Sequence, residues 1–251
     1  MVHNASSGNA TVCGWPVWGH AVSSNLSHWT HLPVALWNDE WWDLHAVYSG
    51  STTIVDGVPT IIYAGICDPT HARCDKHWGV GLAAAVPANA SDPFRTEWQK
   101  RGPLVLGNEP LKDPSAAWQT AEGEWRLTTA GGMVYRSDRE FKNWSLTPSP
   151  PGSKHLFRGG ECPSFFPLPK LVPGRAHTAA MPTHVFKYSH GGSRDYMVLG
   201  TYDEGPPTPL ATGLCSVLRE RSILERVTLR RTSLRLAGDD CSMDGHVCWG
   251  P

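Results

Sequence analysis

The segment YSGSTTIVDGVPTIIYA (residues 48–64) decides the fold, because it encodes a β-hairpin. Asp56-Gly57 lies between two runs rich in β-branched and aromatic residues, and Asp-Gly is a strong signal for a tight hairpin turn. The same plan recurs twice, at residues 116–129 around Glu122-Gly123 and at residues 184–202 around Gly191-Gly192. The turns at residues 56, 122 and 191 are 66 and 69 residues apart.

Repetition of several short strands with Gly- and Pro-rich connections is typical of β-propeller blades. The segments WGVGLAAAV, MVYRSD and WSLT supply further strands between the hairpins. The period is longer than the roughly 40–50 residues of common propeller repeats, so insertions must be assumed. A β-sandwich would have similar strands without the repeated spacing. We therefore predict an all-β fold and prefer a propeller to a sandwich.

The composition excludes several classes of partner. The 22 Lys+Arg nearly balance the 23 Asp+Glu, for a net charge of -1, so no basic footprint for nucleic acid or an acidic membrane surface is present. No apolar stretch approaches the roughly 18 residues that span a bilayer. The chain has 12 tryptophans, twice the count of Phe or Tyr. This excess predicts either an indole-rich core or a sugar-binding cleft.

The cellular compartment is indicated only weakly. The start MVHNASSGNATVCGW has no apolar core of a secretory signal. Sequons for N-glycosylation favour a secretory-pathway origin. They begin at Asn4, Asn9, Asn25, Asn89 and Asn143. The seven cysteines are an odd number and too sparse for a disulfide scaffold.

Two carboxylates stand in apolar sequence settings. Asp113 lies in LKDPSAAW, and Glu161 lies in GGECPSFFPLP beside Cys162 and the phenylalanines that follow. Carboxylates flanked by aromatic residues suit glycosidic bond cleavage, because the transition state is oxocarbenium-like and sugars stack on indoles. From these residues alone, an Asp-Pro turn and a strand-end glutamate explain the pattern equally well.

An ordered set of segments gives a sharper indication. Together they resemble the catalytic propeller of glycoside hydrolase family 32, the β-fructofuranosidases, from about Trp15 to about Asp203. They are VWGHAVSSNLSHWTHLPVAL, YSGSTTIVDG, TIIYAG, SDPFRTEWQKRGPLVL, KDPSAAW, WRLTT, ECPSFFPL and HVFKY…RDYMVLGTYD. The resemblance implies a five-bladed β-propeller followed by a β-sandwich. We expect an N-terminal segment (1–14), an incomplete propeller (15–210) and a non-family tail (211–251), with the sandwich missing.

The resemblance also assigns site residues. Asp113 in Lys112-Asp113-Pro114 takes the position of the transition-state stabiliser, and Glu161 in Glu161-Cys162 takes that of the general acid/base. The remaining positions implied to bind substrate are Trp18 at the pocket wall, Tyr48 and Ser49 on the pocket strand, and Lys112 and Cys162 beside the two carboxylates. The implied ligand is a small carbohydrate, sucrose or a fructan, and no cofactor or metal is implied.

The nucleophile of the family is not found among these residues. It is the Asp of an Asn-Asp-Pro motif upstream of Trp-Gly-His, and no acidic residue precedes Trp18 here. The acids Asp39, Glu40 and Asp43 match a loop of the type Pro-Asp-x-Trp-Tyr-Asp and are not expected to act as nucleophiles. Retention needs a nucleophile about 5–5.5 Å from the acid/base, so without it no glycosyl-enzyme forms.

Other departures from the family pattern also predict impaired catalysis. Lys112 replaces the family arginine and loses a planar bidentate donor. Gly160 stands in place of the usual aromatic residue, and Ser164 in place of the usual Asp. The expected function is therefore an impaired β-fructofuranosidase-like hydrolase. The alternatives are an inactive carbohydrate-binding or regulatory propeller, or a non-functional gene fragment.

Three further predictions concern the cysteines, the tail and the location. Cys67, His71, Cys74 and His77 invite a zinc interpretation, but the resemblance places them in a variable loop and favours a Cys67–Cys74 disulfide. Residues 214–236 carry six arginines. This segment is either a basic helix that binds a partner or a tail without a site. The family habit suggests a vacuolar or cell wall location. The sequence makes no prediction about oligomeric state.

Overall fold

A computed structural model describes residues 2–4, 16–74, 80–107, 111–147, 160–168, 183–190 and 194–200. The Gly191-Gly192 turn, His77 and residues 214–236 lie outside the described residues. The described residues up to Pro114 belong to one compact unit and those from Ser115 to Gly200 to another, which we call unit 1 and unit 2.

Unit 1 consists of two antiparallel sheets. One has the order β1-β2-β3 and the other β4-β5-β6-β7. The strands are β1 (Val2–Asn4), β2 (Pro16–Val22), β3 (Thr30–Leu36), β4 (Ala46–Val55), β5 (Val58–Ile66), β6 (Val80–Pro87) and β7 (Trp98–Leu106).

Unit 2 also contains two antiparallel sheets, with the orders β11-β10-β9-β8 and β12-β13-β14. The strands are β8 (Trp118–Gln119), β9 (Trp125–Thr128), β10 (Val134–Ser137), β11 (Ser145–Leu146), β12 (Glu161–Pro167), β13 (His184–His190) and β14 (Arg194–Gly200), with a 3₁₀ turn at Ala130–Gly132. In all four sheets, strands adjacent in sequence are adjacent in space, which is the meander of a propeller blade. The predicted all-β fold is confirmed.

The predicted hairpins are present. In β4 and β5, Val55 pairs with Val58 across Asp56 and Gly57, whose φ angles are 50° and 79°. Positive φ at both central residues is the tight turn that suits the twist of a hairpin. Trp118 pairs with Arg126 around Glu122-Gly123, and His190 pairs with Arg194 in the third hairpin.

The core of unit 1 lies around strand β5, whose residues from Thr60 to Gly65 are all buried. A strand buried on both faces reads as a continuous apolar run, as this one does. Ile61 and Tyr63 of this strand form one buried cluster with Leu36, Val47, Ala83 and Ala85, and Trp18, Trp42 and Trp98 pack against it.

Strands β4 and β5 come unusually close at Gly50. An ideal Cβ at this position would lie 2.0 Å from the Ile62 carbonyl oxygen and 2.7 Å from the Tyr63 Cα. The register between the two strands also shifts between Val47 and Gly50. Only glycine fits this close approach of two backbones.

A buried ion pair links the loop after β3 to strand β7. The Asp43 side chain is fully buried, and its Oδ2 accepts hydrogen bonds from Tyr63 Oη and Lys100 Nζ, both at 2.6 Å. Lys100 also donates to the exposed Asp39 at 2.7 Å and to the Trp37 carbonyl. Burial raises the pKa of Asp43, against the opposing effect of these donors.

Aromatic side chains dominate the interior of unit 2. Trp125 and Trp144 are both buried, and each packs edge-on against Phe141. Phe165 packs against Trp118, with ring centroids 4.6 Å apart, and stacks on His184 at 5.1 Å. Trp118, Trp125 and Trp144 therefore contribute to packing. Trp29 and Trp37 are exceptions, with about half of each side chain exposed.

Cys67 and Cys74 form a disulfide, with Cα atoms 5.7 Å apart. The prediction of a loop disulfide is confirmed, and the zinc interpretation is wrong because both thiols are consumed. The loop that the bond closes covers Trp41. His71 stacks on this indole at 4.3 Å, and the Arg73 guanidinium lies 4.8 Å from its centroid.

No helix within the described ranges is long and apolar enough to cross a membrane.

The Gly50 contact generates a stability prediction. We expect Gly50→Ala to lower the free energy of unfolding by at least about 3 kcal/mol, because the new methyl meets rigid backbone. Gly57→Ala is the matched control: its Cβ would meet nothing within 4 Å, so only the positive φ is penalised. That cost is about 1–2 kcal/mol. Denaturant unfolding of the two variants measures the difference, and equal losses would contradict the close approach.

The ion pair between Asp43 and Lys100 generates a second stability prediction. Lys100→Met leaves the Asp43 carboxylate buried without its cation, at a cost of about 3–5 kcal/mol. The control is Lys142→Met, because Lys142 is 68% exposed and pairs with the 73% exposed Glu140. Its effect should stay within about 0.5 kcal/mol. Adding Asp43→Asn to Lys100→Met should recover part of the loss in thermal unfolding. No recovery would show that packing, not charge, is responsible.

His184 generates a prediction about pH. Burial lowers the pKa of His184 from its ordinary 6.5, so the folded state binds its proton less readily than the unfolded chain. Its contribution to stability is therefore complete above pH 6.5 and is lost as the pH falls through 6.5 towards the lowered pKa. His184→Phe keeps the ring and should flatten this part of the unfolding profile. An unchanged slope would contradict the assignment.

Candidate functional site

Three of the four predicted site segments lie at irregularities in the strands. The β2–β3 register shifts between Trp18 and His20, the β4–β5 register shifts across Tyr48 and Ser49, and the β12–β13 register shifts between Glu161 and Ser164. Bulges of this kind re-aim side chains and are over-represented beside active sites. The fourth segment, Lys112-Asp113, has Asp113 in the left-handed region at φ 53°.

In unit 1 the structure brings two predicted site residues together. The indole Nε1 of Trp18 donates to the backbone carbonyl of Tyr48 at 2.9 Å. The register shift takes Tyr48 and Ser49 out of the β4–β5 pairing, and the indole supplies a hydrogen-bond donor to the Tyr48 carbonyl there. Trp18, Tyr48 and Ser49 are all half-buried. The indole therefore fixes the strand that carries Tyr48 and Ser49, with access to solvent.

Asp113 also lies in unit 1. Leu111 is completely buried and anchors the segment, Lys112 is exposed, and Asp113 is half-buried. Non-glycine residues with positive φ cost free energy and cluster at functional sites, and Asp tolerates this region better than most. The predicted stabiliser thus stands on an anchored but strained backbone.

In unit 2 a strained backbone surrounds Glu161. Gly160 and Cys162, on either side of it, have φ angles of 114° and 50°. The carbonyl of Gly160 accepts a hydrogen bond from Gly131 N–H at 2.9 Å. Glu161 itself is half-buried and opposes Ser189 on β13. Glu161 is thus the first residue of β12, and the register shift separates it from the regular pairing that begins at Ser164.

Gly160 stands where no side chain would fit. An ideal Cβ at Gly160 would lie 2.4 Å from the ring of Tyr188. The Tyr188 ring, stacked on Tyr196 with centroids 5.4 Å apart, already fills that space. An aromatic side chain of the adjacent strand therefore fills the space beside Gly160.

Cys162 is buried and disulfide-bonded. It holds no thiol that could act as a nucleophile or acid. Of the flanking phenylalanines expected to cover Glu161, Phe165 is buried, but Phe166 is 42% exposed. The two phenylalanines therefore differ: Phe165 belongs to the interior of unit 2, against Trp118 and His184, and Phe166 faces solvent.

The acids Asp39 and Asp43 lie in the turn that follows β3, as predicted, and both are held by Lys100. Sequence reasoning missed the partners Lys100 and Tyr63. The signal available was Asp43 itself: a carboxylate directly after Trp41 and Trp42 has little access to water and needs a buried cation. Among the described residues, no group of three or more His, Cys, Asp or Glu side chains could hold a metal ion.

Comparisons with known proteins identify the family to which this chain is similar. Residues 5–211 match the family described as the glycosyl hydrolases family 32 N-terminal domain. An acid β-fructofuranosidase of Vigna radiata is 34% identical over 219 residues, which cover 78% of this chain and 32% of that enzyme. A fructan 1-exohydrolase of Hordeum vulgare is 34% identical over 215 residues, or 78% of this chain and 34% of the relative.

A solved structure agrees. Fructan 1-exohydrolase IIa of Cichorium intybus superposes with a TM-score of 0.63 at 29% identity, covering 80% of this chain and 39% of that one. The chain thus spans about a third of the length of the curated relatives it matches. With a family match over residues 5–211 of 251, the chain belongs to glycoside hydrolase family 32, within its N-terminal β-propeller domain.

Proposed function

We propose that this chain carries the fructosyl-binding part of a β-fructofuranosidase-like glycoside hydrolase acting on sucrose or fructans. The observation that supports this most is the hydrogen bond from Trp18 Nε1 to the Tyr48 carbonyl at a bulge. It rigidifies the one strand whose half-buried side chains the family resemblance assigns to the fructose pocket. A variant of the Cichorium enzyme has been solved with 1-kestose, and its TM-score to this chain is 0.64.

The proposed chemistry divides between the two carboxylates. Glu161 acts as general acid and protonates the leaving glycosidic oxygen, since its half-buried position allows contact with both substrate and solvent. Asp113 accepts hydrogen bonds from fructosyl hydroxyls and stabilises the oxocarbenium-like transition state. Lys112 adds a cation on a flexible stem, with less geometric control than an arginine. Cys162 contributes by position, because its sulfur is already bonded.

Cleavage with retention also needs a carboxylate nucleophile, and no acidic residue precedes Trp18 in these 251 residues. Asp39 and Asp43 do not substitute for it. Asp43 is fully buried against Lys100 and Tyr63, so no sugar carbon can reach it. We therefore propose that a polypeptide of these residues alone binds fructosyl ligands without cleaving them.

A secretory-pathway location is proposed on the same basis. Curated relatives include a cell wall isozyme of Zea mays and a vacuolar enzyme of a Rosa hybrid cultivar. Exposed Asn-x-Ser sequons in unit 1 and unit 2 fit passage through that pathway.

Binding and turnover can be measured on the 251-residue chain. We expect titration calorimetry to detect 1-kestose binding and reducing-sugar assays with sucrose at mildly acidic pH to detect no release. Trp18→Phe removes the indole donor and leaves the Tyr48 carbonyl unsatisfied, so affinity should fall about tenfold, or about 1.4 kcal/mol. Trp29→Phe, at an indole that is 53% exposed, is the matched control and should bind as the parent does.

Two outcomes would contradict the proposal. Sugar release that Glu161→Gln abolishes would show that these residues suffice for catalysis and that binding without cleavage is wrong. Absence of both binding and release, with circular dichroism showing a folded chain, would refute the fructosyl site itself.

A further inference from the structure

The connection between β6 and β7 (residues 88–97) carries the sequon Asn89-Ala90-Ser91 on a preformed turn. Ser91 N–H donates to the Asn89 side-chain Oδ1 at 2.9 Å, and Asp92 N–H donates to the Asn89 carbonyl at 3.2 Å. Asn89 is exposed. The carboxamide oxygen is therefore engaged by the sequon's own serine, while Nδ2 has no hydrogen-bond partner among the described residues.

The same connection is rigid at its other end. Asp92 accepts hydrogen bonds from Phe94 N–H at 2.9 Å and from Thr96 N–H at 2.7 Å, and these bonds lower its pKa. Ala88 N–H donates to the Glu97 carbonyl at 2.9 Å and closes the loop. All these bonds span at most nine residues, so the turn can form in a nascent chain before the sheet does.

Two other described sequons hold their carboxamides differently. Asn25 accepts from Ser27 N–H at 3.0 Å, but its Nδ2 lies 3.2 Å from His28 Nδ1. Asn143 Nδ2 donates to the Asp138 carboxylate at 2.7 Å. Because Asn25, Asn89 and Asn143 are all exposed, exposure as a class does not separate the three sequons. The three sequons differ in the hydrogen bonding of the asparagine Nδ2.

We propose that Asn89 is the principal N-glycan attachment site among these three and that Asn143 is left unmodified. The amide nitrogen is the atom that reacts. The donor is a lipid-linked oligosaccharide pyrophosphate: the bond from the anomeric carbon to the pyrophosphate oxygen breaks, and the bond from Nδ2 to that carbon forms. Nδ2 loses one proton to a base of the transferase, and the lipid pyrophosphate leaves with the electron pair.

The order of occupancy follows from the competing bonds. At Asn143 the reaction must first break a charge-assisted bond to Asp138, whose oxygens also hold Lys142 N–H at 2.8 Å in the same local loop. At Asn25 the competing group is a single imidazole nitrogen. At Asn89 nothing has to be displaced. We therefore infer the order Asn89, then Asn25, then Asn143.

This inference rests on the proposed secretory route, so the test supplies that route. The chain is secreted from a eukaryotic host behind a cleavable leader, with Asn4→Gln and Asn9→Gln as a common background. Release of glycans by peptide N-glycosidase in heavy-oxygen water marks each occupied asparagine as labelled aspartate, which peptide mass spectrometry quantifies. We expect Asn89→Gln to remove one glycan mass from the intact protein and Asn143→Gln to leave the mass unchanged.

Asp138→Ala tests the physical basis. It frees Asn143 Nδ2 without altering the sequon, so occupancy at Asn143 should rise several-fold, while Ser91→Ala should abolish occupancy at Asn89. Occupancy measured also in the intracellular pool includes variants that fold poorly. An unmodified Asn89, equal occupancy of Asn143 and Asn89, or no rise in Asp138→Ala would each overturn the proposal. Asn25, Asn89 and Asn143 are not among the residues assigned to the fructosyl site, so failure here leaves the ligand-binding result unaffected.

Discussion

A backbone carbonyl at a strand bulge still needs a hydrogen-bond donor, and at Tyr48 this need ties the two sheets of unit 1 together. The close approach of β4 and β5 at Gly50 goes with the register shift that displaces Tyr48 from the ladder. Trp18 then supplies the donor. The indole has one polar atom on a large apolar surface, so the same side chain both packs on the core cluster and satisfies the carbonyl. A tryptophan here is a structural requirement before it is a sugar contact.

The same reasoning applies to Glu161. Residues at positive φ on both sides of it, together with a register shift in β12, place a carboxylate where a regular strand would point it elsewhere. The left-handed backbone is tolerated because Gly160 has no Cβ and because the Cys162 side chain is fixed by a disulfide. The positive-φ backbone at both predicted catalytic positions is thus accompanied by a restraint: the buried Leu111 beside Asp113, and the disulfide of Cys162 beside Glu161.

How much of the fold and the candidate site could be predicted depends on how far apart in sequence the interacting residues lie. The hairpins were predictable because Asp56-Gly57 and Glu122-Gly123 specify turns through their own backbone preferences. The blade-like order followed from the repeat. The bulges at Trp18, Tyr48 and Glu161 were not predictable, because a register shift is set by the facing strand. The partner of Asp43 was equally hidden, since Lys100 is 57 residues away in sequence. Local chemistry determines turns, and long-range packing determines where polar atoms meet.

The buried amine of Lys100 has a consequence for the dynamics of unit 1. Its side chain is only 9% exposed, and its protons are shared among two carboxylates and a carbonyl. An acylating reagent needs access to the amine, so Lys100 reacts only in molecules in which β7 has separated from the loop after β3. The rate at which this one lysine is acylated therefore reports the frequency of local opening in unit 1, separately from global unfolding.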